Sequence, residues 1–277
     1  MIDNNIKFDE GFLFSGKDLK LDNKIIVRHP TIADILSLTD DESCFDLYWL
    51  FVQTLICDPY SNMVMLDDKG IDYETSDNWD VFLIQWNQAI KEYHKNIELY
   101  QRVNLPPLFH ITSALEFFLG KHSFDLRLIQ TSKDKIEPVL CDVSKIQDKE
   151  CEYIITRQMY NKFAIFLQRI NNITDKNQIH PDGVGAKKML IDDMRDEMKR
   201  KHRKDDGDTF GDYIGKLMKA TCCCGNGAVS VFDVNKMKIY QLISGFSMFV
   251  KKSNSDRLLN GQFNLDKVSK KELNWFE

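Results

Sequence analysis

Residues 76–102 read SDNWDVFLIQWNQAIKEYHKNIELYQR, and their spacing decides the fold class. Trp79, Phe82, Leu83, Trp86, Ala89, Ile90, Tyr93, Ile97 and Tyr100 recur three and four residues apart. Side chains so spaced share one helix face, so the stretch predicts a long amphipathic helix. Ser76 or Asp77 can cap it by accepting from the free N–H groups of its first turn, and Pro106 and Pro107 close the region.

Upstream, residues 40–57 (DDESCFDLYWLFVQTLIC) open with carboxylates that suit a helix N-terminus and then turn apolar on nearly every face. That pattern predicts a central, buried helix stopped by Asp58-Pro59. Before it, IKFDEGFLF (6–14) and NKIIVRHP (23–30) alternate loosely and read as two short strands around a Gly-Lys-Asp turn. Pro30 holds His29 extended, and Thr31 can cap a helix over IADILSL.

Downstream, ITSALEFFLG predicts a shorter helix. FDLRLIQ, IEPVLCDV and CEYIIT are short apolar runs between polar clusters, which predict a small antiparallel β element over about 124–155. MYNKFAIFLQRINNI returns to the helical period through Tyr160, Phe163, Phe166, Leu167 and Ile170. The expected fold is thus α+β and mainly α-helical. It comprises a mixed body over 1–171, a polar Pro/Gly linker at 172–185 and a C-terminal helical segment at 186–277 that can dock on the body.

In that last segment, AKKMLIDDMRDEMKRKHRK (186–204) carries only a thin stripe of Leu190, Met194 and Met198, which suits an exposed helix or one awaiting a partner. Asp208 or Thr209 can cap TFGDYIGKLMKATCCC. DVNKMKIYQLISGFSMFVKK predicts one last long helix, with Val234, Met237, Tyr240, Ile243 and Phe246 on a face.

The 277 residues carry a net charge of −5, unevenly placed. In residues 1–100, 19 Asp and Glu stand against 8 Lys and Arg, a net of −11, so the remainder carries +6. Such asymmetry means separate surfaces for separate partners, or complementarity within the fold. No apolar run approaches the roughly 18 residues of a membrane span, and the acidic start lacks the basic-then-apolar order of a signal peptide. Seven cysteines at irregular spacing, without an export signal, read as reduced thiols in a cytoplasmic protein.

The TCCCGNG stretch (221–227) looks like chemistry at first sight. A zinc knuckle needs thiolates two to four residues apart and a second pair of ligands, whereas adjacent Cys222, Cys223 and Cys224 point apart. A phosphate loop needs a longer glycine pattern with Lys-Ser or Lys-Thr. The expected reading is a helix that ends in a glycine cap, with no metal and no cofactor. Nor do the six histidines form an HExxH pattern or the serines a nucleophile elbow, so no catalytic residue is expected. Lys199, Arg200, Lys201, Arg203 and Lys204 could neutralise phosphates, which makes a nucleic-acid-binding protein the alternative. Cations also suit a helix C-terminus, DDGD follows at once, and the sequence pI is about 5.7, so a solvated face is the preferred reading.

Several stretches in order resemble phage-encoded virion-morphogenesis proteins of low-GC Gram-positive hosts, the tail assembly chaperone-like group. They are His29-Pro30-Thr31-Ile32-Ala33-Asp34-Ile35, Leu66-Asp67-Asp68-Lys69-Gly70-Ile71-Asp72-Tyr73 and Asp77-Asn78-Trp79-Asp80-Val81-Phe82. Later come MYNKFAIFLQRINNI, Lys238-Ile239-Tyr240-Gln241-Leu242 and Trp275. Lys69 stands where the resemblance leads one to expect an apolar residue. The resemblance implies a non-enzymatic assembly protein that holds tape-measure or other tail proteins in the host cytoplasm, or a minor tail or baseplate component that stays in the virion. Leu190, Met194 and Met198 are the expected partner-binding residues; neither a membrane nor nucleic acid is the expected partner.

Overall fold

The computed structural model describes residues 6–41, 43–102, 108–120, 123–132, 135–143, 153–173, 181–201, 209–224 and 229–257. Its centre is α3 (Cys44–Ile56), which buries Phe45, Tyr48, Phe51, Val52, Leu55 and Ile56. As its all-round apolarity requires, α3 is packed on several sides: by α2 (Ile32–Leu36), α7 (Phe109–Leu119), α8 (Arg157–Ile170) and α10 (Phe210–Cys224). It ends at Ile56, two residues before Asp58, and Cys57 between them turns left-handed at φ 49°.

α8 presents the expected face: Tyr160, Phe163, Phe166, Leu167 and Ile170 have no solvent exposure. Each such side chain contributes about 1.5–3 kcal/mol of burial. Two hydroxyls on this core reach across it. Tyr160 donates to the Leu55 carbonyl at 2.8 Å, and Tyr48 donates to Asn171 Oδ1 at 2.9 Å.

The long helix expected over 76–102 is two helices, α5 (Asn78–Lys95) and α6 (Ile97–Arg102), broken where Asn96 leaves helical geometry (φ −117°, ψ 29°). Burial explains the break. Trp79, Val81, Phe82 and Trp86 lie in the core, whereas Ile97 and Leu99 are exposed, so nothing packs along the second half to keep it straight. Asp77 is the cap, in a reciprocal box with Asp80.

The first strand expected at 6–14 is instead α1 (Glu10–Phe14), capped by Asp9, which buries Leu13 and packs on α12 (Ile239–Arg257). The hairpin lies later, between β1 (Leu19–Lys20) and β2 (Ile26–Val27). Thr31 caps α2 as expected, in a box with Asp34. After α4 (Met63–Asp67) and the α5–α7 run comes an antiparallel sheet of order β3-β4-β5, formed by Phe124–Ser132, Lys135–Asp142 and Ile154–Ile155. Its base is buried through Phe124, Val139, Leu140 and Cys141, while Leu128 and Ile136 nearer the hairpin tip are exposed.

The fold is therefore α+β and mainly helical. Its C-terminal helices, α9 (Val184–Lys201), α10, α11 (Val231–Lys236) and α12, pack on α4, α3, α2 and α1 plus α8 in turn, and their buried residues join the same apolar cluster as α3 and α8. The single long helix expected over 233–252 is broken into α11 and α12. Met237 is extended (φ −67°, ψ 145°), and Lys238 forms a β-bridge with Thr31. The backbone bonds forgone by the helix are made to the N-terminal body: Ile32 N–H donates to Met237 O at 2.9 Å, and Ile239 N–H to Pro30 O at 3.2 Å. Among the described residues, no helix is long and apolar enough to cross a membrane.

Candidate functional site

α4 ends in a tight C-terminal turn. Gly70, at φ 69°, lets its own N–H reach Asp67 O (2.8 Å) and the Ile71 N–H reach Leu66 O (2.9 Å), a paired bonding that only a left-handed residue permits cheaply. A second turn follows, in which Asp72 accepts from Glu74 N–H at 3.0 Å. The two turns set Asp67, Asp68, Asp72 and Glu74 along one shelf, with Tyr73 buried between the last two.

α9 lies on that shelf. Arg195 Nη2 contacts Asp68 at 2.7 Å and Asp67 at 3.1 Å, and its Nη1 contacts Asp192 on its own helix at 3.0 Å. Lys187 reaches Asp72 and, at 2.8 Å, Glu74; its ammonium also sits 4.7 Å above the Tyr73 ring. Contact with Lys187 holds the Asp72 carboxyl below its usual range against a smaller opposing effect of burial. The contacts with Asp68 and Asp67 raise the Arg195 pKa.

Between these ionic ends the apolar contact is narrow. Ile191 is buried, Leu190 and Met194 are half-buried against the core, and Met198 is 48% exposed. Two of the three residues expected to bind a partner therefore already face this chain's own body. Met189 and Val184 are more exposed than any of the three, at 70% and 86%. Exposed ion pairs contribute little and weaken with salt, so α9 is the most lightly held of the long helices.

The basic run continues from the end of α9. Lys199 pairs with Asp196 at 3.2 Å, Arg200 is exposed, and Lys201 is the last helical residue; Arg203 and Lys204 lie outside the described residues. Cys222 is half-buried against the core, Cys223 is exposed and Cys224 closes α10; Gly225-Asn226-Gly227 lie outside the described residues.

Two open clefts flank Asp58 and Ile173. One, of about 470 Å³, is lined by Trp49 and the amides of Gln53, Asn62 and Gln85. The other, of about 410 Å³, holds Glu74, Gln168 and Arg169 and reaches Tyr73, whose buried hydroxyl has no hydrogen-bond partner among the described residues.

Comparison of the chain with protein-family models, curated proteins and solved structures finds no match. The acidic half of the α9 contact was not singled out by sequence reasoning, which placed Asp67, Asp68 and Asp72 only in a stretch that carries the resemblance. A signal was nonetheless present. The excess of acid in the first hundred residues and of base in the remainder is the charge balance that such a contact needs.

Proposed function

We propose that this chain is a non-enzymatic assembly protein that acts through protein–protein contacts in the host-cell cytoplasm, in the manner of the tail assembly chaperone-like proteins it resembles. The observation that carries the reading is α9. This helix of 18 residues buries Ile191 but leaves Val184, Met189 and Met198 in water. Methionine suits such a role because its unbranched thioether adapts to varied apolar surfaces. Phe232 on α11, 79% exposed, adds a large apolar side chain of the kind that anchors interfaces.

The test is co-expression of the tape-measure protein with and without this chain, scored by the soluble fraction of the tape measure. Solubility should rise with the wild-type chain and fall back with Met189→Asp, Met198→Asp and Phe232→Asp combined. These sites are exposed, so folding should survive the change. Equal solubility with and without the chain would defeat the proposal. Stoichiometric recovery of the chain in purified virions would point to a tail component instead.

A further inference from the structure

The β3-β4-β5 sheet has two edges, and the chain treats them differently. Asp142 N–H donates to Tyr153 O on the β5 side, and Val143 N–H donates to Ser123 O on the β3 side. Backbone groups of an antiparallel strand alternate in direction, so these two bonds fix the phase for the regular register that follows. On β4, residue 138 faces the β5 side, beyond the two residues of β5 itself, and it is a proline with no N–H to offer. That edge is blunted. On β3, Asp125 and Arg127 turn their backbone groups toward β4, whereas Leu126 and Leu128 turn theirs outward. Neither Leu126 nor Leu128 has a hydrogen bond on the outer side among the described residues. Residues 124–130, FDLRLIQ, hold no Pro or Lys to discourage pairing, and Leu128 is 73% exposed.

We propose that β3 pairs antiparallel with β3 of a second copy of this chain, about a two-fold axis at Leu126, and joins the two sheets into one of six strands. Self-complementary charge selects both the occupant and the register. Asp125 and Arg127 flank Leu126 on one face of the strand and meet at 3.2 Å. With the two Leu126 residues opposite one another, each Asp125 faces the partner's Arg127. That position is a non-hydrogen-bonded pair, in which side chains approach most closely and opposite charges stabilise the ladder. An axis at Arg127 sets two guanidinium groups together, and an axis at Asp125 sets two carboxylates together. An axis at Leu128 leaves Arg127 opposite Ile129 and Asp125 opposite Thr131, both uncharged. At Leu126 the two copies exchange both backbone N–H···O bonds, and the exposed Leu128 comes to lie beside the partner's Phe124.

Sedimentation equilibrium of the full chain over a range of concentrations is the test, and a reversible dimer is expected. Arg127→Asp and Asp125→Arg, each alone, set like charges opposite one another and should weaken the dimer about tenfold. An equimolar mixture of these two variants should restore it, because one chain then brings two arginines and the other two aspartates. Both side chains are about half exposed, so folding should survive either change. Leu126→Pro removes an outward N–H without touching the β3–β4 ladder, and it should abolish dimerisation with the circular dichroism unchanged. A wild type that stays monomeric at every concentration would overturn the proposal, as would a dimer indifferent to charge reversal or to Leu126→Pro. Variants that remain monomers when mixed would overturn the register and the proposal with it.

Amide exchange on the wild type requires no variant to fold. The Leu126 and Leu128 amides should slow as protein concentration rises, while those of α8 do not change. Slowing that appears only when a different protein is added would give this edge to that protein and overturn self-pairing.

Discussion

Arg157, the first residue of α8, donates from Nε to Asp77 Oδ2 at 2.7 Å, tying the start of one helix to the cap of another eighty residues earlier in the chain. The same carboxylate accepts from Asn161 Nδ2 at 2.7 Å and from the Asp80 N–H at 3.0 Å, and a second Arg157 nitrogen meets Asp80 at 2.6 Å. Burial works to raise the Asp77 pKa, but the bonds from Arg157, Asp80 N–H and Asn161 outweigh it and hold the carboxyl below its usual range. Burial raises that of Asp80, with the Asp77 charge adding to it.

Asp77→Ala removes a helix cap together with the partner of a guanidinium. It should lower stability by about 2 kcal/mol, the top of the range for losing an N-cap. Arg157 is 46% exposed, so solvent screens its share, and Arg157→Ala should cost less, on the order of 1 kcal/mol. Urea denaturation of both variants checks the order; an equal or larger loss for Arg157→Ala would mean that the ion pair outweighs the cap. The Asp77 contribution is present above the ordinary carboxylate range and is lost as pH falls below it.

Gly16 follows α1 at φ 70°, and a Cβ there would lie 2.6 Å from Lys238 Cγ. Lys238 cannot simply swing aside, because its ammonium is bonded to the His29 carbonyl and its N–H to Gln241 Oε1 at 2.9 Å. Gly16→Ala should therefore destabilise by about 1–2 kcal/mol from the left-handed backbone alone, with the clash in addition. Thermal unfolding measures it. An unchanged midpoint would show that the α1–α12 seam yields freely.

What the sequence made legible was local. Thr31 was readable as a cap, and Asp77 and Thr209 each as one of two adjacent candidates; Asp34, Asp80 and Asp212, three residues on, close the boxes within the same turn. The α8 face was readable because its apolar residues repeat at the helical period, and α3 because it is apolar on nearly every face. The interruption at Met237-Lys238 was not, since its cause is Thr31, two hundred residues away, and the stripe through Met237 continues across it in sequence. Residues 6–14 misled for a related reason. Their alternation fits a strand, but the Asp9 cap and the packing of Leu13 in the core favour one turn of helix. The candidate site divides in the same way: the stripe of α9 was visible, whereas its acidic shelf required the pairing of residues more than a hundred positions apart.

Thiol labelling of the native chain should separate the cysteines by burial. Among the cysteines whose side chains are described, Cys223 is exposed and should react first, followed by half-buried Cys222. Cys44, Cys57 and Cys141 are buried and should stay protected until unfolding; burial also pushes the Cys57 thiol up to about 12, which keeps it from forming the reactive thiolate. Mass spectrometry after brief exposure to iodoacetamide gives the order. Replacing Cys222, Cys223 and Cys224 by Ala should leave the fold and the proposed assembly activity intact, and stoichiometric zinc in the purified wild-type protein would contradict the reading of this stretch as a helix end.

His29 gives the clearest dependence on pH. Its side chain is fully buried, edge-on to Phe166 with ring centroids 5.8 Å apart, and neither ring nitrogen has a hydrogen-bond partner among the described residues. Burial first, and the Lys238 ammonium second, lower its pKa to about 4 against the opposing pull of Asp18 and the Lys17 backbone. The unfolded chain, with an ordinary imidazole near 6.5, takes up this proton earlier than the folded one. The stability that His29 lends is thus complete above about pH 6.5 and is lost as pH falls toward 4, by on the order of 3 kcal/mol in all. The loss falls on the seam where Pro30 and Thr31 meet Lys238 and Ile239, so α12 should loosen first. His29→Phe keeps an aromatic ring against Phe166 and has no proton to gain, so its stability should fall less steeply over this interval than that of the wild type. Denaturation midpoints measured at several pH values between 4 and 7 decide the matter, and parallel pH profiles for the two proteins would remove His29 as the titrating group.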